Sequence, residues 1–235
     1  MVIVRYIGHA AFLIEAGEAK MLIDPYLSGN SAAVAPKGLK PDLILVTHAH
    51  GDHLGDAIEI SKKTGVSILT TNEIANYCIT KGAKAIDAHI GGKISFPFGT
   101  VKLFPAVHSS SVDGISLVGV PCSFVITVDG KSIYHAGDTA LFGDMKLIGE
   151  EFKLDVALLP IGGHYTMGID DAVRAAKLLN ARTIVPMHYD TFDVIKANPF
   201  EFCKKVKTEA KLICVILRPG EKLTLQRPGF SSRDS

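Results

Sequence analysis

Short runs of apolar, β-branched residues punctuate the chain and alternate with stretches whose apolar positions recur at helical spacing. Runs of the first kind predict strands and those of the second helices, so the chain reads as α/β rather than as separate all-α and all-β parts. The opening differs: 2–6, 11–15 and 20–23 are three short strands in close succession, turned at Gly8 and Gly17, which predicts an antiparallel meander. A strand over 42–47, a helix over 54–64, a strand over 67–70 and a helix over 72–81 come next. Strands return from 94 to 128, and Asp129-Gly130 between 123–128 and 132–135 is a two-residue hairpin signal. The last third reads as helix 144–151, strand 156–160, helix 170–180 with Asp170 as its N-cap, strand 183–187, helix 199–208, and strands 212–217 and 222–225. Each half is a stranded layer followed by amphipathic helices. The expected packing is an α/β (α+β) four-layer αββα sandwich, two mixed sheets face to face with helices outside, forming one domain over 1–225 with a polar, frayed tail over 226–235.

Composition narrows the function. Of 235 residues, 47% are hydrophobic and 21% charged, which supplies a packed core and excludes a disordered chain. With 25 Lys+Arg against 24 Asp+Glu the net charge is +1, which argues against a general nucleic-acid binder. The longest uncharged stretch, 114–128, contains Pro121 and falls short of the roughly 18 residues of a membrane span. No leader pattern opens the chain, so a cytoplasmic location is expected. Cys78, Cys122, Cys203 and Cys214 lie far apart without CxxC spacing and are expected to be free thiols.

The chemistry concentrates in Thr47-His48-Ala49-His50-Gly51-Asp52-His53, between an apolar strand and a helix. His48 and His50, two apart in extended chain, leave the same side, and Gly51 permits the turn that brings Asp52 and His53 round. Three imidazoles and a carboxylate in six residues suit a borderline divalent ion. A polar surface loop is the plainer reading, but it does not account for such a cluster ending a buried strand. The same punctuation recurs at His108, at His135 through Asp138, at His164 and at His188, each at the end of an apolar run. Reactive groups collect at the carboxyl ends of strands in open α/β architectures, so one shared site is the economical interpretation.

The HxHxDH pattern at His48, His50, Asp52 and His53, with His108, Asp138 and His188 after it, resembles the metallo-β-lactamase superfamily. The segments 8–10 (GHA), 134–139 (YHAGDT), 143–145 (GDM), 162–168 (GGHYTMG) and 186–192 (PMHYDTF) are similar to a branch near the ascorbate-6-phosphate lactonase-like proteins, mostly described as metal-dependent hydrolases. That resemblance implies one ion on His48, His50 and His108, a second on Asp52, His53 and His188, and Asp138 bridging. Asp52 and Asp138 would then serve catalysis as well as ligation, because paired ions depress the pKa of a shared hydroxide and stabilise an oxyanion. The absence of cysteine from the set argues against a purely structural site.

Other residues take expected roles around this centre. His164, in a Gly-rich loop, is the candidate donor to substrate or leaving group, with Tyr165 sharing that role or His164 merely steadying the loop. His9 lies in a turn that overhangs the site in many superfamily members and is read as a substrate contact or proton carrier, against a satisfied core histidine. His135 and Asp24 are read as orienting partners of the ligands, Ser109 to Ser111 as an anion contact or a plain turn, and Cys122 as core packing. His50 stands where flavin-linked diiron relatives carry a carboxylate. The residues after His188 leave little room for a glyoxalase II-like helical domain, and no basic arm recommends a nuclease. Hydrolysis of an ester-like bond, a lactone or phosphoester, in a small polar substrate leads. A phosphodiesterase or nuclease, or a non-catalytic metal-dependent ligand sensor, are the alternatives. Zinc is the expected metal with manganese next, and iron, nickel and cobalt are compatible with nitrogen and oxygen donors. No membrane partner is expected, and self-association is left open.

Overall fold

The computed structural model describes residues 1–226 apart from Asp113, Leu117 and the side chains of Ile115 and Ser116, so all but the first residue of the expected tail lies outside it. Its first half contains β1 (Val2–Gly8), β2 (Ala11–Ala16), β3 (Ala19–Ile23), β4 (Leu43–Leu45), α1 (Gly51–Leu54), α2 (Ala57–Thr64), β5 (Ser67–Thr71), α3 (Asn72–Thr80) and β6 (Lys84–Ala88). Its second half contains β7 (Lys93–Phe96), β8 (Gly99–Pro105), β9 (Ser111–Val112), β10 (Ile115–Ser116), β11 (Cys122–Val128), β12 (Lys131–His135), α4 (Met145–Glu151), β13 (Val156–Pro160), α5 (Ile169–Leu179), β14 (Thr183–Met187), α6 (Pro199–Lys205), β15 (Ile213–Cys214) and β16 (Lys222–Leu225).

Two seven-stranded mixed sheets result, ordered β16-β1-β2-β3-β4-β5-β6 and β15-β14-β13-β12-β11-β8-β7, with β9 and β10 as a separate ribbon. In the first, β1, β2 and β3 form the expected meander and β3 to β6 run parallel. The second mirrors it, with β7, β8, β11 and β12 antiparallel and β12 to β15 parallel. The last strand returns to the first sheet, pairing Val2 with Leu225. Alternation places Val2, Val4 and Tyr6 of β1 inward, where they join Leu103, Phe124, Ile126 and Ile133 of the second sheet in one core cluster. The parallel strand β13 is buried at all five positions, as a strand covered on both faces must be. The αββα sandwich is therefore the observed architecture.

Four local expectations are corrected. The helix expected over 54–64 is broken into α1 and α2 at Gly55, whose φ of +45° and Cβ position 2.4 Å from the Pro25 carbonyl oxygen admit no side chain. Gly168, not Asp170, caps α5, while the Asp170 carboxylate accepts a bond from Lys205 at 2.7 Å. Strand β6 (KAIDA) was not foreseen, because at a sheet edge it turns Lys84 and Asp87 to solvent and carries no apolar run. Cys203 and Cys214 are bonded to each other rather than free, since α6 and β15 bring their Cα atoms to 5.1 Å; Cys78 and Cys122 are the free thiols, both buried. Among the described residues, no helix is long and apolar enough to cross a membrane.

Candidate metal centre

Strand ends deliver the site. Beyond β4 the chain does not run on extended as expected but bends at Thr47, Ala49 and His50 before turning into α1, carrying Asp52 and His53. His108 comes just after β8, Asp138 just after β12, and His188 follows β14 with φ +54°. These seven residues, drawn from both sheets, meet at one point. Donor atoms of His48, His50 and His108 lie within 4.8 Å of one another, as do those of His48, His53 and Asp138, and those of Asp52, His53 and His188 together with His9. The Asp138 carboxylate sits among them, with Oδ1 3.2 Å from His53 Nε2 and Oδ2 3.0 Å from His188 Nε2 and 3.6 Å from His108 Nε2.

A shell of hydrogen bonds fixes which ring nitrogen each histidine offers. Asp24, buried at φ +43°, accepts from the Thr47 amide at 2.8 Å, the Thr47 hydroxyl at 2.7 Å and His53 Nδ1 at 2.7 Å. Because the Thr47 hydroxyl proton goes to Asp24, its oxygen accepts from His48 Nδ1 at 3.0 Å. His48 thus carries its proton on Nδ1 and turns a bare Nε2 toward the cluster, while His53, its Nδ1–H held by Asp24, presents Nε2 there, free to ligate once its second proton leaves. His135 bonds backbone on both sides of the ring, with Nε2 donating to the Ala10 carbonyl at 2.9 Å while Nδ1 accepts from the Gly137 amide at 3.1 Å, one residue before Asp138. Gly137 itself packs against Thr47, where a Cβ would lie 2.9 Å from the threonine Cβ.

Electrostatics divide the cluster. Burial, and then neighbouring histidines, lower the pKa of His48, His50 and His108, leaving this trio neutral and ready to donate lone pairs. Burial is the largest influence on His53 and His188 and opposes charge, but the carboxylates together outweigh it: Asp138 with Asp24 and Asp52 at His53, and Asp138 with Asp52 at His188. His53 is held well above the usual histidine range and His188 is raised to about 9. Burial alone would raise the Asp52 and Asp138 pKa values, yet the histidines facing them hold both carboxyls well below the usual range. Protons on His53 and His188 therefore stand where cations would. His53 Nε2, His188 Nε2 and Asp138 Oδ1 are buried without an acceptable hydrogen bond, which is how unfilled ligand atoms look, and the nitrogen and oxygen donors suit divalent ions.

The remaining expected residues divide. His164 and Tyr165 are exposed, ring centroids 4.6 Å apart, on a loop tied beside Asp138 by the Met167 amide donating to the Thr139 carbonyl. His9 is buried instead, with Nε2 3.0 Å from Asp52 Oδ2 and Nδ1 2.9 Å from the Thr191 hydroxyl. Ser110 is no anion contact: its buried hydroxyl accepts from the Ala49 amide and donates to the Val118 carbonyl, bracing the ligand loop. Cys122 packs in the core and bonds the Thr47 carbonyl. Thr47 and Thr191 escaped the sequence reading. A buried threonine directly before a ligand at the end of an apolar run was the available signal for the first.

A profile of the beta-lactamase superfamily domain matches residues 3–188. The chain is similar to a UPF0173 metal-dependent hydrolase of Methanosarcina barkeri, 49% identical over 226 residues that cover 94% of this chain and 98% of the relative. A UPF0173 metal-dependent hydrolase of Thermococcus kodakarensis is 52% identical over 96% of this chain and the whole of that protein. Among solved structures, the metallo hydrolase Igni18 of Ignicoccus hospitalis superposes with a TM-score of 0.89 at 42% identity, covering 97% of this chain and 99% of that one.

Proposed function

The chain belongs to the beta-lactamase superfamily and is a metal-dependent hydrolase, and from that premise we propose that it cleaves an ester-like bond in a small polar substrate, with a lactone ahead of a phosphoester, at two divalent ions. His48, His50 and His108 would hold one ion, Asp52, His53 and His188 the other, and Asp138 would lie between. The observation that carries the two-ion reading is Asp138, buried within 3.0–3.6 Å of histidines from both sets. Bound ions would supply a hydroxide at neutral pH and offset the charge that develops on the attacked oxygen. We expect zinc first and manganese second, since the affinity order of divalent ions at such donors favours zinc.

The protein's own groups do the rest. Asp24 and Thr47 hold His53 and His48 with Nε2 toward the cluster, and His135 fixes the turn that presents Asp138. His164, exposed on the loop docked at Thr139, would donate a proton to the leaving oxygen. Among the described residues, the ion pairs that reach Asp52 and Asp138 come from histidines alone. A lactone carbonyl needs only the ions and a proton donor, which is why it leads here.

The test is hydrolysis by metal-reconstituted protein across lactones, simple esters, phosphodiesters and thioesters, with Asp138→Asn as the blank. Turnover confined to lactones and esters, lost together with metal content in Asp138→Asn, is expected. Turnover of phosphodiesters alone would move the activity to the phosphodiesterase reading. Silence across the panel with metal bound would favour a ligand sensor.

A further inference from the structure

His9 does not behave as a residue waiting for substrate. Its backbone sits in the left-handed region at φ +58°, and its carbonyl accepts from the His188 amide at 2.9 Å and the Tyr6 hydroxyl at 3.1 Å. The left-handed region is uncommon for a non-glycine residue, histidine being among the types that tolerate it, and here the two bonds to the carbonyl hold the turn that carries the ring. The ring is almost wholly enclosed, with its centroid 4.0 Å from that of His188 and Tyr26 and Phe192 edge-on to it at 5.7 and 5.3 Å.

Where the ring nitrogens point is the telling feature. His9 Nε2 lies 3.0 Å from Asp52 Oδ2, the same oxygen that His188 Nε2 approaches at 3.7 Å and His53 Nε2 at 3.9 Å. A residue that merely steadies a ligating carboxylate takes the oxygen turned away from the ion; His9 shares the oxygen on which the other two imidazoles close. Its Nδ1 faces the Thr191 hydroxyl at 2.9 Å, and that hydroxyl has the Tyr189 carbonyl at 3.3 Å to receive its own proton. Thr191 can therefore accept from Nδ1–H and leave Nε2 bare, as Thr47 does for His48.

We propose that His9 is a ligand of the second ion, so that His9, Asp52, His53 and His188, with Asp138 shared, surround it. This rests on the two-ion reading above. Three imidazole nitrogens and two carboxylates leave one position for the nucleophile, a set that suits a six-coordinate ion such as manganese, iron, cobalt or nickel better than four-coordinate zinc. The two sites would then differ in kind, with the trio of His48, His50 and His108 favouring zinc and the His9 site an octahedral metal.

Metal-depleted wild type, His9→Ala and His9→Gln would be titrated with manganese, counting ions per chain and recording each affinity. Glutamine keeps an amide to bond Asp52 and Thr191 but is a poor ligand, so it separates ligation from orientation. The proposal expects two ions on wild type, and on both variants one ion held normally with the other weakened more than about 100-fold, beyond what loss of an orienting partner costs. Two ions on His9→Gln with affinities within about threefold of wild type, or about 0.7 kcal/mol, would overturn it. One ion on wild type would instead overturn the two-ion reading, a distinguishable failure. Should the variants not fold, the crystal structure of metal-loaded wild type decides: His9 Nε2 at about 2.1 Å from the second ion supports ligation, and separation by more than a hydrogen-bond length refutes it.

Discussion

Asp24→Asn is the sharpest probe of how the centre is held. The substitution changes no volume, and asparagine tolerates the φ of +43° found there, so backbone strain is not the perturbation. What changes is donor count. Asp24 Oδ1 accepts from the Thr47 amide, and Oδ2 accepts from the Thr47 hydroxyl and from His53 Nδ1, all between 2.7 and 2.8 Å. If the new NH2 replaces Oδ2, it faces His53 Nδ1–H, and the imidazole must move its proton to Nε2, where no metal can bind. If it replaces Oδ1, it faces a buried backbone N–H. Either orientation leaves one buried donor unmatched, which costs about 1–3 kcal/mol. Affinity for the ion on His53 should fall about 10–100-fold, equivalent to about 1.4–2.8 kcal/mol. Calorimetric titration of the metal-depleted variant measures the affinity, and 15N spectra of the histidine rings report which nitrogen carries the proton. Wild-type affinity together with an unchanged His53 ring would refute the tautomer argument.

Four further outcomes are expected. His164→Ala should keep its metal, read by mass spectrometry, and lose about 100-fold or more in turnover, the usual contribution of a general acid; unchanged turnover would remove His164 from the chemistry. Metal uptake should strengthen with pH by about tenfold per unit for each proton displaced and keep strengthening through pH 9, because His188 in the metal-free fold is raised to about 9 and His53 is held well above the usual histidine range. The same shift makes the metal-free fold gain stability from His188 below pH 6.5 and lose it as pH rises through 9, so melting curves of the metal-free and loaded protein should diverge toward alkaline pH. Titration of thiols in denaturant should find two before reduction and four after it, and Cys203→Ser should lower stability by about 3 kcal/mol, the chain-entropy value for the 11-residue separation.

What could be foreseen follows from how local each signal is. His48 to His53 announce themselves because the ligands, the glycine that turns them and the strand that delivers them are contiguous. The sandwich was readable for a similar reason, since meander, hairpin and parallel strands each leave a local pattern. Partnerships across the chain were not. Asp24 meets His53 over 29 positions and His9 meets Thr191 over 182, and only the sheet order brings them together. Cys203 and Cys214 looked unpaired because their contact depends on β15 joining the second sheet beside β14. Gly55 breaks a plausible helix through a clash with Pro25, thirty positions earlier, that no helical periodicity encodes.

That the donors come from both sheets has a bearing on how the chain is made. His48 to His53 leave the ribosome early, whereas His188 closes the site only once β14 has been added to the second sheet. A growing chain thus displays three imidazoles and a carboxylate long before the pocket that should discipline them exists, and any ion caught then is held in the wrong company. The full donor set exists only when the two sheets have docked, so selection among ions is a property of the folded chain rather than of the segment His48 to His53 alone.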